Sequence, residues 1–116
     1  MQRHLFVATL ATAFAVTGCA TMSEPRLGAE LPGQTMRVEL PNRQVTMLRF
    51  NADGTVIGTG EGGQQASGRW AVEAQRICLD WPRQGRECFP YTQPFRSGQT
   101  VTLTGTSGAT VRATLQ

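Results

Sequence analysis

The stretch Trp70–Tyr91, WAVEAQRICLDWPRQGRECFPY, decides the fold. Folding it back at Ala74–Gln75 sets Glu73 across from Arg76, Val72 across from Ile77 and Trp70 across from Leu79. Opposite charges then meet at the turn and apolar partners share one face, as cross-strand pairing favours. A second reversal within Pro82–Gly85 brings Cys78 opposite Cys88, Asp80 opposite Arg86 and Ile77 opposite Phe89. Trp70, Val72, Ile77, Leu79, Trp81, Phe89 and Tyr91 form one continuous apolar face in this register. Glu87 falls opposite Leu79, a poor match that predicts a bulge or an edge strand nearby. A four-residue loop over Pro82–Gly85 is the competing register. It pairs Trp81 with Arg86 and sends the two cysteines to opposite faces, which excludes a bond needing Cβ atoms about 3.5–4.5 Å apart.

The same punctuation continues on both sides. Short runs rich in Val, Thr, Ile, Leu and aromatics alternate with Gly, Asn, Asp and Pro, and no helical period or heptad is present. Strands are expected near 35–40, 44–50, 55–60, 66–72, 76–81, 86–91, 99–104 and 109–115. Their short links suit antiparallel neighbours, since parallel strands need long crossovers. Asn51–Ala52–Asp53–Gly54 supplies Asx side chains and a glycine between two apolar strands, and Pro41–Asn42 breaks the first two strands. Thr106–Ser107–Gly108 suits a three-residue hairpin loop that sets Leu103 opposite Val111 and Val101 opposite Ala113. The expected fold is all-β, about eight short antiparallel strands in a meander, closed as a small barrel or folded as a sandwich.

The N-terminus has a different character. Met1–His4 carries one firm positive charge, and Leu5–Val16 is an apolar run of signal length, too short to span a bilayer comfortably. The run ends in Val16–Thr17–Gly18–Cys19, which resembles the lipobox of bacterial lipoproteins. That resemblance implies cleavage after Gly18 and a diacylglyceryl group on the Cys19 sulfur. Two or more acyl chains make a lasting anchor, because each buried methylene contributes about 0.8 kcal/mol. Ala20 in place of Asp implies, by likeness to Gram-negative sorting, the outer membrane, with the domain on its periplasmic face. Ordinary secretion with cleavage after Ala20 is the alternative. Residues 1–18 are thus expected as signal peptide, 19–33 as lipidated cysteine and flexible tether, and 34–116 as the β-domain.

With Cys19 committed to lipid, Cys78 and Cys88 remain as a pair in an oxidising compartment and are expected to form a disulfide. Closing a loop of about eleven residues stabilises a domain by about 2.5–3 kcal/mol in the chain-entropy model. A metal site on this pair is incomplete, because the chain's one histidine is His4 and two thiolates alone do not complete a zinc shell.

Of the chain's 116 residues 40% are hydrophobic and 16% charged, values that fit one small folded domain. All the basic residues are arginine; beyond residue 18 they stand at 26, 37, 43, 49, 69, 76, 83, 86, 96 and 112, interleaved with the acids. That spread lacks the clustering of a nucleic-acid stripe. Without His, Lys or a free thiol after processing, Ser/His/Asp and Cys/His catalysis are excluded. Asp80 and Glu87 share a hairpin, but alternation points them to opposite faces and Arg86 neutralises Asp80, so they make no glycosidase pair. Gly58–Gly63 spells G-x-G-x-x-G, yet no helix follows to hold a pyrophosphate, and the segment reads as a hairpin loop. Trp81, Arg83, Arg86 and Tyr91 form the densest basic-aromatic group and are the candidate interaction patch.

Gly68–Arg69–Trp70 resembles the G-x-W signature of lipocalins, although that signature opens their first strand and this one lies mid-chain. The segment from Phe50 to Tyr91, with D-G-T, G-x-W and two cysteines, resembles small exported domains of alphaproteobacteria, which implies location and fold. Small secreted inhibitors of bacterial metalloproteases are also β-barrels with one disulfide, but they act through a free N-terminal segment. The expected function is a non-enzymatic envelope lipoprotein, with no cofactor or metal. Its β-domain binds or supports an envelope protein or glycan and contacts no nucleic acid. The alternative is a calycin-like small-ligand carrier or an inhibitor-type periplasmic barrel. An apolar cavity of a few hundred Å³ marks a carrier; a core filled by Trp70, Trp81, Phe50, Phe89 and Leu79 excludes one.

Overall fold

Turn chemistry and two-residue alternation divide the computed structural model, which describes residues 26–116, into eight strands. They are β1 (Thr35–Glu39), β2 (Val45–Phe50), β3 (Thr55–Thr59), β4 (Gln65–Glu73), β5 (Arg76–Trp81), β6 (Gly85–Pro90), β7 (Thr100–Thr104) and β8 (Thr110–Leu115). The signal peptide, Cys19 and the start of the tether lie outside the described residues.

All the pairings between these strands are antiparallel, in the order β6-β5-β4-β3-β2-β1-β8-β7. The meander curls into a nearly closed barrel, because β8 pairs with β1, as in Val38↔Ala113. The open seam therefore falls between β6 and β7 rather than between the first and last strands. Pro90 at the end of β6 has no N–H to offer across that seam.

The central hairpins keep the expected registers. Trp70 pairs with Leu79, Val72 with Ile77 and Glu73 with Arg76. Ile77 pairs with Phe89, Cys78 with Cys88 and Asp80 with Arg86, so the competing register is not adopted. Ala74 and Gln75 have φ of 52° and 60°, the double left-handed geometry of a two-residue hairpin turn. Cys78 and Cys88 form the disulfide on the outer face, their Cα atoms 4.0 Å apart. Leu103 pairs with Val111 across the loop 105–109, and Gly108 takes a φ of 95° there. In the 51–54 turn, Asp53 accepts hydrogen bonds from the Thr55 N–H at 3.0 Å and its hydroxyl at 2.7 Å. Those bonds, the side-chain one foremost, hold the Asp53 carboxyl below its ordinary pKa.

Alternation sends Met36, Val38, Leu48, Phe50, Val56, Ile77, Leu79, Val111, Ala113 and Leu115 inward, and all are buried. The expected tether needs correction at its domain end. Leu31 is fully buried at 0% exposure and Leu27 packs on the same core, so Leu27–Gly33 belongs to the barrel. Backbone bonds fix this stretch: the Gly33 N–H donates to Phe50 O at 2.7 Å and the Phe50 N–H to Gln34 O at 2.9 Å. Leu31 needs no sequence periodicity to be buried; it fills the end of a barrel built by strands remote in sequence.

Candidate functional site

The two ends of the barrel differ. At one end, the Gly28–Glu30 stretch meets the long β6–β7 connection, where Tyr91 is 2% exposed and Phe95 9%. The Tyr91 and Phe95 rings stack with centroids 4.8 Å apart. The Gly28 N–H donates to the Tyr91 hydroxyl at 2.8 Å, and that hydroxyl donates to the Glu30 carboxylate. The Phe95 N–H donates to the same carboxylate oxygen at 2.8 Å. Burial foremost, then the bond to Glu30, push the Tyr91 phenol well above its ordinary pKa. Trp70 completes the plug, edge-on to Phe50 at 5.4 Å with its indole N–H on Asn51 O at 3.0 Å. This end is closed.

The other end carries the turns 40–44, 60–64, 82–84 and 105–109, and between them the barrel opens into a cavity of about 480 Å³. Its floor includes Phe50, Ile77 and Phe95, and its walls include Leu48, Leu79 and Val111. Exposed Gln64, Gln84 and Ser107 stand at its rim with half-buried Trp81, Phe89 and Leu103. Of the five residues whose filling of the core would exclude a carrier, Phe50, Leu79, Trp81 and Phe89 line a hollow, and Trp70 lies in the plug. Phe50 and Phe95 sit at the bottom, while Trp81 and Phe89 line the wall up to the rim.

Trp81 takes that place because two inward positions lack side chains. A Cβ on Gly68 would lie 2.7 Å from Trp81 Cε3 and 2.5 Å from Asp80 O. A Cβ on Gly58 would lie 3.2 Å from Trp81 Cη2. The indole therefore lies over β4 and β3; a side chain at Gly68 forces a shift there, and one at Gly58 makes the ring give by a few tenths of an ångström. In the sequence these two glycines belong to the G-x-G-x-x-G and G-x-W patterns. Their inward parity on neighbouring strands is the signal that identifies their role.

Glu87 is the other residue whose role the sequence left open. It sits on edge strand β6 with no bulge in the register, facing inward. Its Oε2 accepts hydrogen bonds from the Ser107 N–H at 3.1 Å and hydroxyl at 2.8 Å. Beside it the Thr106 N–H donates to Cys88 O at 3.0 Å, and the Cys88 N–H to Thr106 Oγ1 at 3.2 Å. These four bonds fasten the seam near the mouth.

The expected patch of Trp81, Arg83, Arg86 and Tyr91 does not assemble. Tyr91 is buried at the closed end, Trp81 faces the cavity, and Arg83 is exposed on the 82–84 turn. Arg86 lies on the outer face, bonded to the Glu73 carboxylate and 4.0 Å from Asp80. The correction follows from alternation: residues 81 and 86 stand on opposite faces of one hairpin, and 91 is carried around its far end. Asp80 and Glu87 likewise point to opposite sides. No family model, curated protein or solved structure matches the chain.

Proposed function

We propose that this domain is a non-enzymatic binding barrel of the cell envelope that holds a small, largely apolar ligand in its cup. The cavity carries the reading: about 480 Å³, walled by aliphatic and aromatic side chains and open at one end. Such dimensions and lining match small-molecule sites, in which a few polar groups orient an apolar body. Of the functions the sequence admits, carriage is therefore favoured over a purely structural role.

The VTGC motif supports anchoring through lipid on Cys19, on the outer membrane with the domain in the periplasm. From Cys19 to Arg26 a fully extended chain reaches at most about 25 Å. Leu27 and Leu31 pack on the core beside the closed end, so on this anchoring the tether joins the barrel at the end opposite the mouth.

The test uses the processed domain with Cys19→Ala, titrated with the neutral fluorophore N-phenyl-1-naphthylamine. Saturable one-to-one enhancement is expected, and it is lost in Ala66→Trp, which puts a large ring at an exposed, cavity-lining position. Absence of saturable binding, or binding indifferent to Ala66→Trp, overturns the reading.

A further inference from the structure

Glu87 is the one charged residue lining the cavity among the described residues. The arginines of the same end, Arg43 and Arg83, are exposed on turns and contribute nothing to the lining. Resting on the reading of the cup as a ligand site, we propose that it selects amphiphiles whose head is a protonated amine, over those with a carboxylate head. Only Oε2 of Glu87 is engaged, by Ser107; Oε1 accepts no hydrogen bond among the described residues. That oxygen keeps a lone pair and the shared negative charge for a donor entering from the mouth.

Trp81 adds a second attraction. Leu79 pairs with Glu87 and Trp81 with Gly85, so Trp81 and Glu87 are diagonal neighbours on the inner face. An ammonium group beside the carboxylate can also lie against the indole ring, an arrangement electrostatically favoured for cations. An alkyl chain then extends over Leu79 and Phe89 toward the floor at Phe50 and Phe95. A carboxylate head in the same position meets Glu87 with no lining cation to offset it. The Ser107 bonds matter here because they hold the carboxylate in place without neutralising it.

The experiment displaces N-phenyl-1-naphthylamine from the Cys19→Ala domain with decylamine, decanol and decanoate at neutral pH. Because Glu87 is only half-buried, decylamine is expected to bind about five- to tenfold more tightly than decanoate, with decanol between. In Glu87→Gln, whose amide oxygen still accepts from Ser107, the three affinities should converge. Ser107→Ala, which releases the clasp and keeps the charge, should preserve the order. Equal displacement by amine and carboxylate, or a preference that survives Glu87→Gln, refutes the head-group assignment and leaves the cup standing. Failure of all three amphiphiles, with the fluorophore unbound, overturns the cup itself and this inference with it.

Discussion

Replacing Leu31 by Ala removes a branched side chain that solvent does not reach, from a segment that a tether would leave in water. Three carbons leave the core, each worth about 0.8 kcal/mol of transfer free energy. A residual void adds to that loss, but a plug at the end of a barrel can settle inward and recover part of it. The expected cost is about 3 kcal/mol, toward the lower end of the range for buried leucines. For a domain of this size that lowers Tm by about 12–24 °C. Urea unfolding of the oxidised domain, followed by tryptophan fluorescence, measures the loss, since Trp70 packs on Phe50 at the same end. Ala29→Ser, at an exposed position in the same segment, is the control and should change stability by less than about 0.5 kcal/mol. A Leu31→Ala loss as small as the control's would refute the docking of residues 27–33.

The remaining predictions address other parts of the barrel. The chain has one tyrosine, so phenolate absorbance reports Tyr91 alone. A phenol whose pKa is raised by folding supports stability fully below its ordinary value of 10.0 and loses that contribution as pH climbs higher. Ionisation should therefore accompany alkaline unfolding, and a titration near 10.0 with the fold intact would contradict its burial. Reducing the Cys78–Cys88 bond should cost about 2.5–3 kcal/mol in urea unfolding; equal midpoints with and without reductant would count against the staple. Ala74→Asn with Gln75→Gly places turn-favoured residues at two left-handed positions and should stabilise by about 1–2 kcal/mol; a loss would mean the turn is not of this type. Cys19→Ala should move the protein from membrane to soluble fractions, and unchanged fractionation would exclude the lipid anchor.

The hairpins were legible because their information is local. Glu73 and Arg76 flank a two-residue turn, and the cysteines and apolar partners then fall into register by alternation alone. The plug was hidden for the opposite reason. Leu31 sits in a segment without periodicity, fixed by contacts such as Gly28 N–H to Tyr91 Oη across 63 positions. Glu87 announced itself only as a misfit opposite Leu79. Its partner Ser107 lies 20 positions away, in a different hairpin, so the seam it fastens is a property of the assembled barrel. Trp81 fits both the apolar face and the basic-aromatic group of the sequence, and the glycines at 58 and 68 settle the conflict by giving its ring a bed on the cavity wall.

The most direct test of the cup is a nitrogen-15 NMR titration of the Cys19→Ala domain with decanol. The account predicts saturating shifts at inward-facing residues of the cavity, among them Leu48, Leu79, Leu103, Val111 and the Trp81 indole. Shifts confined to outward residues such as Arg37 and Arg49, or none as decanol nears its solubility limit, would contradict it.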